Sequence, residues 1–312
     1  DRRFIYIFAC IIISEYLGAI MEIITKAPAS CGELIEGVID GTPFLVTCPI
    51  SMYAEVTVSD TFTGVHGLGE KAREAMERTL QHIGEKKLPW GIRLDSKIPQ
   101  GKGMASSSAD IAAVSYAVAR TLGWKLTPQE MMDIAIAIEP SDGICFEGLA
   151  HVSHTTGKLF AQYSDVPLLH ISIYDVGGIV DTIAYYQSKS NQRNQNIEYQ
   201  RLLNMVDRAF HAGGHRREAL LGMAATESAL LNQEHLKKEG LKELIRAAQD
   251  EGALGVTVAH SGTVVGVLWA SAMSAADVSR RTERLAHLFD GQFSYLQTAR
   301  LIPGGVICEI KA

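Results

Sequence analysis

The chain has 312 residues, 47% of them hydrophobic and 21% charged, which is enough apolar material to bury a substantial core and excludes a disordered protein. Its net charge of −6 argues against non-specific nucleic-acid binding, because that function needs a basic surface. Five cysteines without a Cys-x-x-Cys pair favour reduced thiols, and therefore a cytoplasmic protein, over a disulfide framework.

The first twenty residues differ from the rest of the chain. A charged start, Asp1-Arg2-Arg3, precedes an apolar run over 4–13 that is too short to span a bilayer. Because a coherent domain pattern begins at Met21, we predict that residues 1–20 are an extension outside the fold. A membrane-directing segment is the alternative, and we expect the rest of the protein not to bind membranes.

The start of the domain predicts strands around a turn that carries acidic groups. A strand-like pattern begins at Ile23, and the segment 26–37, which contains a proline and two glycines, predicts the turn. Its carboxylates, Glu33 and Glu36, are either solvated or part of a site. Further along, residues 70–83 are amphipathic and highly charged, and they predict a surface helix.

The segment 99–110, Pro-Gln-Gly-Lys-Gly-Met-Ala-Ser-Ser-Ser-Ala-Asp, joins a predicted strand over 91–98 to a predicted apolar helix over 109–122. Gly101 and Gly103 permit unusual backbone angles and allow a ligand to approach the main chain. Free N–H groups at the start of a helix attract anions. The pattern predicts a loop that binds nucleotide phosphates, and an ordinary serine-capped helix is the alternative.

A second group of candidate site residues follows the next predicted helix, over 129–138. Thr127 is its expected N-cap, and the apolar helix ends in Glu-Pro-Ser-Asp-Gly. Carboxylates at the end of a buried helix, here Glu139 and Asp142, are costly unless each has a partner. A magnesium ion with a bound nucleotide would supply one.

The second half of the chain alternates strands and helices in a ferredoxin-like order. The pattern predicts strands over 158–162, 168–174 and 306–310, a hairpin over 254–268, and helices over 199–211, 216–231, 236–249 and 275–289. The polar segment 188–196 predicts a boundary between a first domain, 21–187, and a second domain, 188–312. The fold class is α+β.

The loop resembles the second motif of the GHMP kinases, Pro-x-x-x-Gly-Leu-Gly/Ala-Ser-Ser-x-Ala, in which the matching residues are Pro99, Gly103, Met104, Ala105, Ser106, Ser107 and Ala109. The resemblance implies the GHMP kinase fold, with an N-terminal half like domain 2 of ribosomal protein S5 and a ferredoxin-like C-terminal half. It also implies ATP and Mg²⁺ as cofactors. We expect the loop residues Pro99 and Gly101 to Ser108 to hold ATP, with Lys102 as a secondary candidate facing the phosphates.

Other roles are implied by the same resemblance. The segment 26–37 is loosely similar to the first GHMP motif, which places Ser30, Gly32 and Glu33 at the substrate pocket. Glu139 and Ser107 would bind magnesium, with Ser108 as the rival serine. Asp142 would face the acceptor hydroxyl, either as a base or as a substrate ligand.

The third motif narrows the choice of acceptor substrate. Ala-His-Ser-Gly-Thr at 259–263 resembles the corresponding turn of the L-threonine kinases of adenosylcobalamin synthesis and propanediol utilisation, as do 139–143 and 177–182. The resemblance implies ATP-dependent phosphorylation of L-threonine to O-phospho-L-threonine and a possible homodimer. It places His260, Ser261, Gly262 and Thr263 at the substrate. Homoserine kinase, another small-molecule GHMP kinase and a non-catalytic sensor of the same fold are the alternatives.

Overall fold

The computed structural model describes residues 21–178 and 195–311. Its strands are β1 (Glu22–Ile39), β2 (Thr42–Ser59), β3 (Val65–His66), β4 (Gly91–Ser96), β5 (Leu149–Val152), β6 (Leu159–Tyr163), β7 (His170–Asp175), β8 (Gly255–Val258), β9 (Val264–Trp269), β10 (Ser294–Arg300) and β11 (Ile307–Lys311). Its helices are α1 (Glu70–His82), α2 (Ser106–Thr121), α3 (Pro128–Ile136), α4 (Asn196–Ala212), α5 (Gly214–Asn232), α6 (Leu241–Asp250) and α7 (Ala275–Leu288).

The described strands form one sheet in the order β10-β7-β9-β8-β1-β2-β4-β3, with β11 paired to β1 and the β5–β6 pair attached to β2. The four strands β10-β7-β9-β8 are antiparallel and have the ferredoxin-like order. They meet the first half where Glu33 of β1 pairs with Val258 of β8. The predicted α+β class is confirmed.

Strand β1 corrects the prediction of a turn over 26–37. The whole segment is extended and pairs with β2, with one register shift after Pro28 and two beside Glu33. Gly32 has φ +58°, and a Cβ there would lie 2.2 Å from the carbonyl oxygen of Val258. The turn prediction was wrong because the proline and the glycine lie at bulges in a long strand, which such irregularities tolerate, and not at a chain reversal.

Helix α2 lies in the core. The loop over 99–105, which we call the phosphate loop after its predicted role, leads into the N-terminal end of this helix. Twelve of the sixteen residues of this helix are buried, and five of these are alanines, which allow close packing against the sheet. The Thr25 hydroxyl donates to the carbonyl oxygen of Ala113 at 2.8 Å, which ties the helix to β1. The packing of the apolar face of α2 therefore fixes the direction in which the phosphate loop points.

Some elements were not predicted. Strands β3, β5 and β10 lack a clear period-2 pattern, and helix α6 begins at Leu241, because Gly240 before it has φ +75°. Three predictions lie outside the described residues: the extension over 1–20, the domain boundary at 187/188, and residues 179–182 of the 177–182 segment. They remain predictions. Within 21–178 and 195–311, the helices are all too short or too polar to cross a membrane.

Candidate active site

A cavity of about 750 Å³ lies beside the start of α2, which is within the usual size range of small-molecule sites. It is bounded by the phosphate loop, the start of α1, β1 and the turn after α3. Its wall contains most of the residues predicted for the site, namely Gly101, 103–108, Glu139, Asp142, Glu33 and Ser261. The structure therefore brings the three predicted motifs to one place.

Two glycines join the phosphate loop to the 259–263 turn. A Cβ on Gly103, which has φ +77°, would lie 2.3 Å from the Cβ of Ala259, and one on Gly262 would lie 2.4 Å from the Lys102 carbonyl oxygen. The N–H of Thr263 donates to that same oxygen at 3.0 Å. The missing side chain of Gly103 thus makes room for the turn; Gly103 also lines the cavity, so the approach of a ligand to its main chain stays a prediction.

The start of α2 is arranged to receive an anion. Ala105 precedes the helix in the left-handed conformation, with φ 56°, which costs a non-glycine residue about 1–2 kcal/mol. Among the described residues, no side chain caps this helix end, and Ser106 and Ser107 line the cavity. Uncapped N–H groups and the positive end of the helix dipole favour phosphate at this position.

Glu139 lies at the cavity wall. Its Oε2 lies 2.5 Å from Nζ of Lys71, while its Oε1 is buried without a hydrogen-bond partner in the described part of the chain. Lys71 lies in the first turn of α1. Its ion pair with Glu139 could not be predicted from the sequence, because the charged pattern of this helix predicts only a solvated face. A buried oxygen without a partner is costly and marks a place for a cation.

Asp142 lies close to other carboxylates. Burial raises its pKa well above the ordinary value, and the negative charges of Glu33, Glu36 and Glu139 raise it further, while a hydrogen bond with Ser108 opposes them. The backbone N–H of Asp142 also donates to the Ser108 hydroxyl at 3.3 Å. A carboxylate with a raised pKa accepts a proton from an alcohol more readily than an ordinary aspartate does.

Other predicted residues lie behind the wall or away from it. The ammonium of Lys102 pairs with Asp175 Oδ2 at 2.7 Å and donates to the Gly178 carbonyl oxygen at 2.8 Å, and Lys102 does not line this cavity. The Ser30 hydroxyl is buried and donates to the Cys48 carbonyl oxygen at 3.0 Å. Pro99, Gly32, Gly262 and Thr263 also do not line the cavity.

His260 lies directly behind Glu33. Its backbone N–H donates to Glu33 Oε2 at 3.0 Å, and its Nδ1 lies 2.9 Å from the same oxygen. Its Nε2 lies 2.8 Å from the Ser228 hydroxyl of α5. Because an ionised carboxylate only accepts hydrogen bonds, Nδ1 donates to it, and the histidine orients the carboxylate that lines the cavity.

Asp110 is a further carboxylate at the cavity wall, and no motif pointed to it. Its Oδ1 is buried without a hydrogen-bond partner of its own in the described ranges, and burial raises its pKa to about 6, although a hydrogen bond between Ser96 and the carboxyl group opposes this shift. In the unfolded chain the same carboxyl titrates near 3.8. Ionised Asp110 therefore destabilises the fold above pH 6, and the penalty disappears as the pH falls below the unfolded value.

We expect Asp110→Asn to stabilise the protein at pH 7.5 by about 1–2 kcal/mol, a value reduced for the partial exposure of the side chain. At about pH 4.5 the difference should shrink to a few tenths of a kcal/mol. Urea unfolding at both pH values measures the effect, with the exposed Asp95→Asn as the control. Equal stabilisation at the two pH values would show that ionisation is not the cause.

Comparison with known proteins adds independent findings. A family model described as the GHMP kinases N terminal domain matches residues 70–147. The chain is 33% identical over 262 residues to a Salmonella typhimurium protein named L-threonine kinase, covering 81% of this chain and 85% of that one. It is 34% identical over 252 residues to a Citrobacter freundii protein of the same name, covering 78% and 85%.

Solved structures give the same fold. A mevalonate kinase structure superposes with a TM-score of 0.69 at 13% identity, covering 89% of this chain and 99% of that one. A homoserine kinase from Cytophaga hutchinsonii superposes with a TM-score of 0.65 at 18% identity, covering 93% and 97%. At these identities the likeness extends to the fold alone.

Proposed function

Because the chain belongs to the GHMP kinases and is an ATP-dependent kinase, we propose that it phosphorylates the hydroxyl of L-threonine. The observation that carries the choice of acceptor is the identity of 33% and 34% to two L-threonine kinases over most of each chain. The products are O-phospho-L-threonine and ADP. Such a product suits the aminopropanol arm of the corrinoid in adenosylcobalamin synthesis, and we propose a cytoplasmic enzyme for that pathway or for propanediol utilisation.

The phosphate loop supplies positioning, which phosphoryl transfer requires more than covalent chemistry. The residues at the start of α2 line the cavity, and their N–H groups would hold the phosphates of ATP at the positive end of the helix dipole. The strained Ala105 and the packing of Gly103 on the 259–263 turn fix this backbone before a ligand arrives. A preorganised loop does not have to reorganise during the reaction.

The residues at the wall fit a magnesium ion. The unpartnered Glu139 Oε1 and the Ser107 hydroxyl are hard oxygen donors, which Mg²⁺ prefers. The Ser108 hydroxyl is engaged with Asp142, which supports Ser107 over Ser108 as the second ligand. When bound, the ion neutralises charge on the outer phosphates.

Asp142 is proposed to receive the proton of the acceptor hydroxyl. As the threonine oxygen forms its bond to the γ-phosphorus, the bond from that phosphorus to the bridging oxygen of ADP breaks, and the hydroxyl proton passes to the carboxylate. The position of Asp142 at the cavity wall, together with a pKa above that of an ordinary aspartate, is consistent with the role of base. Glu33 at the same wall would accept the substrate's ammonium group, which is consistent with an amino acid as the acceptor.

The test is a comparison of acceptors with ATP and magnesium present. We expect ADP release with L-threonine to exceed that with L-homoserine or L-serine by about tenfold in kcat/KM, since the homoserine hydroxyl lies one carbon further out and loses its alignment, and serine lacks the methyl group of threonine. Mass spectrometry should identify phosphothreonine. A preference for homoserine would keep the site and change the acceptor, whereas no turnover with any of the three would contradict the proposal.

A further inference from the structure

Lys238 is a buried cation that the proposed reaction does not use. It lies in the turn between α5 and α6, is 3% exposed, and its Nζ donates to the carbonyl oxygen of Ala259 at 2.8 Å. Lysine is almost never fully buried unless it is paired, because removing its charge from water is costly. Its position therefore needs a partner that repays this cost.

Two carboxylates on β1 act on Lys238 through their charge. Glu33 and Glu36 are 4% and 1% exposed, and the ligand atoms of these two residues and of His260 all lie within 4.8 Å of one another. Burial lowers the pKa of Lys238 to about 8, while both carboxylates raise it, so the side chain is protonated at neutral pH. Two buried carboxylates so close together cannot both stay ionised without a nearby positive charge.

Lys238 also acts through the backbone behind the cavity wall. The carbonyl that it holds belongs to Ala259, and the next residue, His260, places both its N–H and its ring on Glu33 Oε2. The side-chain amide of Asn232, at the end of α5, donates to the His260 carbonyl oxygen at 3.2 Å. The turn that orients Glu33 is thus anchored from the helical layer on its outer side.

We propose that Lys238 is a positioning residue for the amino-acid subsite: it holds the 259–263 turn and balances the Glu33–Glu36 pair, so that Glu33 faces the cavity ionised. This inference rests on the proposed function, because it takes Glu33 as the group that meets the substrate's ammonium. Without the charge on Lys238, one of the two carboxylates would take up a proton. Glu33 would then bind an ammonium group less well.

Lys238→Gln and Lys238→Met separate the charge from the hydrogen bond, because glutamine keeps a donor for the Ala259 carbonyl and methionine does not. We expect both variants to raise KM for the amino acid by about tenfold, the scale of a weakened charge contact. KM for ATP should stay within about twofold, since the phosphate loop keeps its own contacts. The exposed Lys242→Met, one turn away on α6, is the control and should match the wild type.

The double variant Lys238→Gln/Glu36→Gln tests the charge balance itself. The double variant should have a kcat/KM about threefold or more above that of Lys238→Gln, because the remaining carboxylate no longer has a charged neighbour. Additive losses, or KM values for ATP and the amino acid that rise together with a lower Tm, would overturn the proposal and assign Lys238 a purely structural role.

The same experiment distinguishes this inference from the proposed function. L-threonine and L-homoserine both carry the ammonium group, so the variants are assayed with whichever acceptor the wild type prefers. Failure of the acceptor comparison with the wild-type protein would count against the proposed function. Normal wild-type turnover with an unchanged KM in both Lys238 variants would count against the positioning role alone.

Discussion

Asp142→Asn should lower kcat by about 10³-fold and leave ATP binding intact, since a positioned general base contributes roughly 10²–10⁴-fold. Asparagine has nearly the same shape and keeps the backbone N–H bond to the Ser108 hydroxyl. It cannot take up a proton from the acceptor. ADP release with L-threonine measures turnover, and nucleotide titration followed by calorimetry measures binding.

The matched control for this substitution is Asp133→Asn, an exposed aspartate on the helix that precedes the same turn. It should retain full turnover. If Asp142→Asn kept turnover within about threefold, a role for this carboxylate in the chemical step would be excluded. Loss of ATP binding together with turnover would instead indicate that the change disturbs the phosphate loop through Ser108.

Glu139→Gln should raise the magnesium concentration for half-maximal activity by about tenfold and lower kcat by about 10²-fold, because an amide oxygen is a weaker ligand than a carboxylate. The substitution also breaks the ion pair with Lys71. Lys71→Met separates these two effects, because it removes the ion pair and keeps the carboxylate. We expect Lys71→Met to shift the magnesium titration by less than about threefold.

An unchanged magnesium titration in Glu139→Gln would assign the ion to other ligands. A shift of equal size in both variants would indicate that the Lys71–Glu139 pair, and not a metal contact, controls the response. The two titrations are read as ADP release at fixed ATP with increasing free magnesium, so that substrate saturation does not obscure the comparison.

The parts of the site that the sequence predicts are those with local signals. The loop before α2 combines small residues with an apolar helical period, and the turn at 139–143 follows a helix whose capping box, Thr127 with Glu130, is present in the structure. Strand pairing and helix packing bring these segments together, and the resemblance to one family implies the same juxtaposition. Their shared cavity could therefore be expected.

The rest depends on contacts between residues that are distant in sequence. Lys71 and Lys238 lie in charged segments typical of solvated surfaces, yet one reaches Glu139 and the other is buried under the 259–263 turn. Lys102, by contrast, lies inside the phosphate loop and pairs with Asp175. Composition and periodicity report how polar a segment is, but they do not report which partner a long flexible side chain finds.

Strand β1 has a consequence for how the protein is made. Its outer side pairs with β11, from Glu22 opposite Lys311 to Lys26 opposite Ile307, so the first described strand is completed by the last. As the chain leaves the ribosome, this edge of β1 stays open until 307–311 has been synthesised, even if the helices between them have already formed. An open strand edge can pair with another nascent chain, so the protein is exposed to strand-to-strand association until 307–311 is available to cover β1.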